Sequence, residues 1–256
     1  MKLIVTGSGD AFNAAGRGHS CYWLEGMTEH PMMVDFGATA LQALKRLELD
    51  PRRLRTILIT HLHGDHIGGL PFLVIDGVVR SGRQEPLQLV GPPGTRQRCE
   101  DLLALSYGVL AEQEERFPLQ YCEVEPEQEL AFGAVRVRVF RADHVAPPGQ
   151  ALGYRVVREN GPTVVFSGDT AMTDELLTAA VGADLLVAEC SALEPPAGKH
   201  CTWAEWRREL PGLDVGRVLL AHLPEEMRAG ELPPVGEGAP PVELAEDGQV
   251  VELDEG

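Results

Sequence analysis

Several features are scarce in this sequence of 256 residues. Its five cysteines form no Cys-x-x-Cys pair, which suits reduced thiols in the cytosol better than a disulfide framework. The apolar run at the N-terminus, Met1–Thr6, is too short for a signal peptide or a membrane span. We therefore expect a soluble, cytoplasmic protein with no membrane partner.

Basic residues are also scarce. The chain has 22 lysines and arginines against 39 aspartates and glutamates, which gives a formal net charge of −17. Such a charge repels a polyanion unless a local basic patch offsets it, so the composition argues against a long RNA as substrate. No Pro/Ser-rich linker or internal repeat divides the sequence, and its length suits one domain over residues 1–256.

Histidines, by contrast, are concentrated in one short segment. The stretch Leu54–Thr60 is apolar and β-branched, as in a buried strand, and it is followed directly by His61, His63, Asp65 and His66. Side chains alternate along an extended chain, so His61 and His63 point the same way. After a glycine that permits a sharp turn, Asp65 and His66 open the next helix. Imidazole and carboxylate groups bind zinc-, manganese- or iron-type ions, so this segment predicts a metal site.

A site of this kind needs more ligands than one loop supplies. Three further strand-like segments run into a residue of the same chemical type, and these residues are His144, Asp169 and His222. Each of them alone could equally be a helix cap or a hydrogen-bonded turn residue. Their common position after a strand predicts that they complete the metal site. This assignment leaves His19, His30 and His200 outside the predicted ligand set.

The order of these motifs resembles a known family. His-x-His-x-Asp-His, a single histidine, Ser-Gly-Asp-Thr and a final histidine follow one another as in the metallo-β-lactamase superfamily. Within it, the chain is most similar to the ribonuclease Z branch and its phosphodiesterase-like relatives. The segments that carry this similarity are Val5–Asp10, Arg17 with Ser20, Val34–Ala38 and Leu152–Arg155. The resemblance extends from Leu3 to the Glu246–Gly248 segment.

The resemblance implies a ligand set and a mechanism. It places one divalent ion, most simply zinc but also manganese or iron(II), on His61, His63 and His144, and a second on Asp65, His66 and His222. Asp169 would bridge the two ions together with a hydroxide, which is the expected nucleophile. Asp35 would contact a metal-bound residue without binding the ion itself. Related proteins are often dimers, so a homodimer is an open alternative.

Two departures from the ribonuclease Z pattern affect the expected substrate. The His-Glu-Ala-Thr element of that branch reads Ala188-Glu189-Cys190-Ser191 here, and the region between Glu100 and Phe140 leaves no room for the long arm that clamps tRNA. Both departures argue against tRNA trimming. His200 could either protonate the leaving oxygen or hold a phosphate oxygen. Glu189 is the second candidate for the proton donor, and Asp65 is a further catalytic candidate through its place at the ions. Glu189 could instead orient a metal-bound histidine.

Three functions remain open, because this fold alone does not determine the substrate. The first is a phosphodiesterase for a small or short diester such as a cyclic nucleotide, a nucleotide or a short nucleic acid. The second is a thioester, lactone or other carboxyl-ester hydrolase, for which 5% aromatic residues offer no obvious apolar pocket. The third is a non-haem iron oxidoreductase, which seven complete ligand positions disfavour. A non-catalytic scaffold is disfavoured for the same reason.

The predicted fold is an α/β four-layer αββα sandwich. Helices alternate with strands in two halves of the chain, which fits two central mixed sheets covered by helices on both outer faces. The predicted helices are Thr39–Leu47, His66–Val79, Gly94–Tyr107, Thr173–Val181 and Trp203–Leu210. All predicted metal ligands would then lie at one edge of the sandwich.

Overall fold

The computed structural model describes residues 1–111, 117–229 and 232–253. In this part of the chain the strands are β1 (Lys2–Gly7), β2 (Cys21–Glu25), β3 (Met32–Val34), β4 (Thr56–Leu58), β5 (Leu87–Gly91), β6 (Leu119–Glu123), β7 (Glu129–Phe132), β8 (Val135–Ala142), β9 (Ala151–Arg158), β10 (Thr163–Phe166), β11 (Leu185–Glu189), β12 (Val218–Ala221), β13 (Val242–Leu244) and β14 (Val250–Glu252). The α-helices are α1 (Ala40–Arg46), α2 (Gly64–Ile67), α3 (Leu70–Ile75), α4 (Thr95–Ala111), α5 (Asp174–Ala180) and α6 (Trp203–Glu209).

The strands form two mixed sheets of seven strands each. The first has the order β14-β1-β2-β3-β4-β5-β6, and the second has the order β13-β12-β11-β10-β9-β8-β7. In the first sheet β3 to β6 are parallel and the remaining pairs are antiparallel. In the second sheet β10 to β13 are parallel and the other pairs are antiparallel. Each sheet therefore combines a parallel half with an antiparallel half.

Three clusters of buried apolar residues lie between the layers. The central cluster joins the facing sides of the two sheets, with residues such as Val34 from the first and Val164 from the second. A second cluster packs the other side of the first sheet against α1, α3 and α4. A third packs the second sheet against α5 and α6, where Trp206 is fully buried. Since each sheet and helix buries its apolar face against a neighbouring layer, the predicted αββα sandwich is confirmed.

The directions of the strands decide where their loops meet. Strands β10, β11 and β12 are parallel, so their carboxyl ends lie at one edge of the second sheet. Two antiparallel steps through β9 give β8 the same direction. The loop after β4 reaches this edge from the first sheet, because the amide of Leu152 donates to the carbonyl of Thr60 at 2.9 Å. The loops that carry the predicted metal ligands are thus brought together.

The predicted helices are found at the expected positions, and the extent of one predicted helix is wrong. Helices α1, α5 and α6 lie within one residue of each predicted end, and α4 extends beyond the predicted Tyr107 with an irregular backbone at that residue. The predicted continuous helix His66–Val79 is wrong. The amide of Gly69 donates to the carbonyl of Phe36 instead of continuing the helix, so α2 ends at Ile67 and α3 begins at Leu70. A π-helical turn, Asp76–Ser81, follows.

No helix in the described part of the chain is both long and apolar enough to cross a bilayer.

Candidate metal centre

The loop after β4 places four predicted ligands within six residues. His63 has an extended backbone and is the N-cap of α2, so Asp65 and His66 lie in the first turn of that helix. The amide of His66 donates to the carbonyl of His63 at 3.1 Å. Gly37 allows this turn to approach the end of β3, because a Cβ atom at Gly37 would lie 2.0 Å from the backbone oxygen of Asp65. The loop is therefore held against the first sheet at one closely packed point.

The second sheet supplies three predicted ligands from three separate loops. His144 follows β8, Asp169 follows β10 and His222 follows β12. The amide of Asp143 donates to the hydroxyl of Thr170 at 2.9 Å, which joins the first two loops. His222 has a left-handed backbone with φ of 55°, and its amide donates to the hydroxyl of Ser20 at 3.0 Å. Hydrogen bonds between loops thus fix these residues relative to one another.

All seven predicted ligands come together at this edge, in two adjacent groups. Possible ligand atoms of His61, His63 and His144 lie within 4.8 Å of one another, and the same holds for Asp65, His66, Asp169 and His222. Three imidazoles, or two imidazoles with two carboxylates, are donor sets that suit a zinc-type divalent ion. Each group therefore offers a donor set that could hold a metal ion.

Asp169 lies between the two groups. Its Oδ2 atom is 3.4 Å from His66 Nε2 and 3.3 Å from His222 Nε2 in one group. In the other group, the same oxygen is 3.9 Å from Nε2 of both His61 and His144. One carboxylate oxygen is thus within reach of four imidazoles from both groups, which is the position that a residue shared by two ions would occupy.

The contacts of the ring nitrogens show how the imidazoles of two buried histidines are oriented. His66 Nδ1 lies 2.7 Å from Asp35 Oδ2, and His222 Nδ1 lies 2.9 Å from Ser191 Oγ. The Nε2 atoms of the same two rings are buried and accept no hydrogen bond from any described residue. A buried polar atom without a partner is costly, and a metal ion would satisfy both atoms. The residues present therefore fit a metal-binding role.

The titration of the loop histidines differs with their neighbours. Burial, together with the neighbouring His66, lowers the pKa of His61 well below its ordinary value. Although burial acts in the same direction on His66, the carboxylates of Asp169 and Asp35 outweigh it and raise its pKa. Burial opposes ionisation of Asp65, but the facing imidazoles of His222 and His66 outweigh it and lower its pKa. Without a metal ion, protons on His66 and the carboxylate charges thus stabilise one another.

His200 and Glu189 form a pair beside the second group. His200 Nδ1 lies 2.8 Å from Glu189 Oε1, and the carboxylate is buried while the imidazole is partly exposed. Burial lowers the pKa of His200, but Glu189 outweighs it and raises the pKa. His200 also offers a ring nitrogen within 4.8 Å of possible ligand atoms on His144 and Asp169. The pair can present a protonated imidazole to a molecule bound at the metal groups.

Three contributions to the site were missed by the sequence analysis. Ser191 links the elements, because its hydroxyl donates to Glu189 at 2.8 Å and contacts His222 Nδ1. Thr60 donates its amide and its hydroxyl to Asp35 at 2.8 and 2.9 Å. His19 was left outside the site, yet it lies close enough to Asp65, His66 and His222 to interact with them electrostatically. Hydroxyl partners carry no sequence signal of their own, and the position of His19 depends on tertiary packing.

Comparison with known proteins shows how widely this arrangement is shared. The chain is 26% identical to a ribonuclease Z of Methanothermobacter thermautotrophicus, over 99% of this chain and 97% of the relative. It is 28% identical to an uncharacterized protein of Mycobacterium leprae, over 88% of this chain and 78% of that protein. Both relatives are thus matched over most of their length.

Solved structures have the same fold. The short form of human tRNase Z superposes with a TM-score of 0.78 at 24% identity, covering 99% of this chain and 100% of that chain. A metallo-β-lactamase fold protein of Bacillus subtilis, YhfI, gives a TM-score of 0.75 at 22% identity, with 98% and 99% of the two chains covered. Yeast PDE1 gives 0.67 at 15% identity, with 98% of both chains covered. At these identities the likeness shows the fold.

The family model described as the anti-Pycsar protein Apyc1 matches residues 1–249, nearly the whole chain. The predicted resemblance to the metallo-β-lactamase superfamily and its ribonuclease Z branch is confirmed by the solved structures and by the relatives named ribonuclease Z. The chain belongs to the family described as the anti-Pycsar protein Apyc1, and it has the metallo-β-lactamase fold.

Proposed function

We propose that this chain is a two-metal hydrolase that cleaves a small or short phosphodiester, such as a cyclic nucleotide, within one domain. The observation that carries the proposal is the position of Asp169, which is shared by two groups of possible ligands and lies beside the His200–Glu189 pair. Two adjacent ions and a proton donor are the components that hydrolysis of a diester needs.

The metal groups provide the first component. His61, His63 and His144 would hold one divalent ion, and Asp65, His66 and His222 would hold the other, with Asp169 shared. When bound, zinc-type ions lower the pKa of a coordinated water and stabilise charge on phosphoryl oxygens. Asp35 and Ser191 hold the Nδ1 atoms of His66 and His222, so the Nε2 atoms keep a fixed direction.

The His200–Glu189 pair provides the second component. In the proposed reaction His200 donates a proton to the leaving oxygen, and Glu189 holds Nδ1 so that the ring keeps both its orientation and its proton. Ser191 donates to the other carboxylate oxygen of Glu189 and thereby keeps that carboxylate in place. Glu189 thus acts on the substrate through His200.

The choice of a small phosphate diester has two kinds of support. Proteins similar to this chain include a ribonuclease Z, a diphosphatase and yeast PDE1, whose names refer to phosphate ester or anhydride substrates. The net charge of −17 disfavours a long polyanion. A nucleotide-sized diester satisfies both, since it offers a phosphoryl group to the ions without a long charged backbone.

The test is a substrate panel with protein of measured metal content. Bis(p-nitrophenyl) phosphate, a p-nitrophenyl ester and a thioester would be compared, with His63→Ala as the variant that removes a predicted ligand. We expect turnover of the diester, and its loss in the variant. Turnover of the carboxyl ester or the thioester alone would overturn the phosphodiesterase proposal and leave the metal centre standing.

A second experiment tests the proton donor. His200→Ala should slow hydrolysis of an alkyl diester, whose leaving oxygen needs a proton, by about 100-fold or more. The same variant should affect bis(p-nitrophenyl) phosphate by only a few-fold, because p-nitrophenolate leaves without protonation. Glu189→Gln should show the same dependence on the leaving group. An equal loss for both substrates would contradict the donor role.

A further inference from the structure

The imidazole of His19 lies beside the metal centre without belonging to either ligand group. His19 is 9% exposed. A Cβ atom at Gly37 would lie 2.7 Å from His19 Cβ and 2.0 Å from the backbone oxygen of Asp65, so both residues pack on the same glycine. His19 also interacts electrostatically with Asp65, His66 and His222, and its ring contacts the backbone of Ala11. It therefore lies on the Asp65 side of the centre.

The backbone of His19 is fixed on both sides. Its amide donates to the hydroxyl of Thr39 at 2.9 Å, and it forms an isolated β-bridge with Gly9. A Cβ atom at Gly7 would lie 2.0 Å from the carbonyl oxygen of His19, so the glycine-rich N-terminal segment is what allows this close packing. The next residue, Ser20, accepts the amide of His222. The backbone that carries the ring is thus fixed, and its neighbour Ser20 holds a predicted ligand.

One ring nitrogen of His19 lacks a hydrogen-bond partner. Among the described residues, Nδ1 of His19 is buried and has no hydrogen-bond partner. The only other histidine nitrogens with this property are Nε2 of His66 and Nε2 of His222, which belong to one of the metal groups. A buried nitrogen without a hydrogen-bond partner is unfavourable. In this location, the partner of Nδ1 is expected to come from a molecule bound at the centre.

His19 is nevertheless not placed as a metal ligand. In the described part of the chain, the groups of residues whose ligand atoms approach one another within 4.8 Å do not include it. The ring is near the ions that the centre would hold and outside their coordination. That is the position of a group that contacts the substrate while the substrate contacts the ions.

We propose that His19 is a substrate-binding residue, whose Nδ1 atom holds an oxygen of the phosphodiester on the Asp65 side of the centre. The proposal rests on the proposed function. The oxygen belongs either to the phosphoryl group or to a sugar hydroxyl next to it, and both offer the same hydrogen-bonding chemistry. The bound diester would then contact two imidazoles outside the predicted ligand set, those of His19 and His200.

The experiment compares two substitutions at the same position. His19→Leu keeps most of the volume and removes both nitrogens, whereas His19→Asn keeps a polar atom close to the position of Nδ1. His30→Leu is the matched control, because His30 is an exposed histidine before β3, at the opposite end of the first sheet from the loop after β4. Metal content and thermal unfolding would be measured for each variant.

The first readout is the hydrolysis of the p-nitrophenyl ester of thymidine monophosphate. We expect His19→Leu to raise KM about tenfold or more, the effect of one hydrogen bond to a charged or polar oxygen. His19→Asn should recover a large part of this loss, and His30→Leu should leave KM unchanged. The second readout is the affinity of the metal-loaded protein for inorganic phosphate.

The two readouts separate the outcomes. A weaker affinity for inorganic phosphate in His19→Leu would assign the contact to a phosphoryl oxygen, and an unchanged phosphate affinity with a raised KM would assign it to a sugar hydroxyl. An unchanged KM, or a lower metal content in His19→Leu, would overturn the proposal. If the wild-type protein hydrolyses no diester, the proposed function fails, and the phosphate affinity of the two variants still decides whether His19 binds an oxyanion.

Discussion

The two sheets contribute to the metal centre in different ways. The first sheet supplies four predicted ligands from six consecutive residues, His61 to His66, in one loop after β4. The second sheet supplies His144, Asp169 and His222 from three loops that are 25 or more residues apart. The loop ligands depend on local geometry, whereas the other three depend on the parallel arrangement of whole strands. One short motif thus determines half of the site, and the fold brings the ligands of the other half to it.

The largest loss of activity is expected for a substitution among the three predicted ligands that the second sheet supplies. Asp169→Asn should reduce diester hydrolysis at least about 1,000-fold, because the carboxylate oxygen is within 4 Å of four imidazoles in both groups. The bound metal per chain should also fall. Steady-state rates and metal analysis check this, with Asp143→Asn as the control, since Asp143 is an exposed carboxylate of the neighbouring loop. Retention of both ions and of most activity would contradict a shared role.

The second prediction compares one ligand from each half within the same group. His63→Ala and His144→Ala should each lower activity by about 100-fold and remove the same ion, since the two rings lie 3.2 Å apart between Nδ1 and Nε2. Because each variant already empties the group, the double variant should lose little more. Metal stoichiometry and kcat for the three variants test this. Losses that multiply would indicate that the two halves act on different ions.

The third prediction compares the groups that orient a ligand in each half. Asp35→Asn acts on the loop ligand His66, and Ser191→Ala acts on the strand-end ligand His222. Each should weaken metal binding about 10- to 100-fold. Asp35 should have the larger effect, because it also accepts the amide and hydroxyl of Thr60 and carries charge. Competition with a chelator measures the affinities, and equal effects would count against this ranking.

The smallest effect concerns pH in metal-free protein. Burial opposes protonation of His222, but Asp169 and Asp65 outweigh it and raise its pKa to about 9. Its protonated ring therefore stabilises the metal-free fold below about pH 6.5, and this contribution is lost as the pH rises through about 9. For His61 of the loop, by contrast, burial lowers the pKa, so we expect no such contribution from its protonated ring.

With zinc present the trend should disappear, because the deprotonated imidazole is the form that binds the ion. Thermal unfolding from about pH 6 to about pH 9, with chelator and with zinc, checks the difference. His222→Gln should reduce the decline in the metal-free protein, and the remainder is expected from His66, whose pKa is also raised. A metal-free protein whose stability does not change over this range would contradict the prediction.

The sequence could predict the residues that meet at the centre because each follows a strand. His61 to His66 form a motif that is readable without any tertiary information, and the isolated His144, Asp169 and His222 were identified from their strand-end positions. The layered fold followed from the alternation of strands and helices, and it is confirmed. Patterns that repeat along the chain are thus predictable from the sequence.

The sequence could not predict what depends on single contacts between distant loops. The break between α2 and α3 arises because Phe36 accepts the amide of Gly69, a partner 33 residues earlier in the sequence. His19 reaches the centre because Gly37 lets it pack next to Asp65. Ser191 was visible only as part of an altered motif, and its contact with His222 required the folded arrangement of β11 and β12.

The pairing of β1 with β14 has a consequence for folding. Lys2 lies opposite Glu252, so the first sheet contains strands from both ends of the described chain, and the whole second sheet is built from the residues between them. The first sheet therefore cannot be completed from one continuous segment, whereas the second sheet is continuous in sequence from β7 to β13. Because distant strands must meet before the first sheet closes, we expect slow folding and a single cooperative unfolding transition. A fragment that ends before β7 should then fail to form a protected sheet in hydrogen exchange.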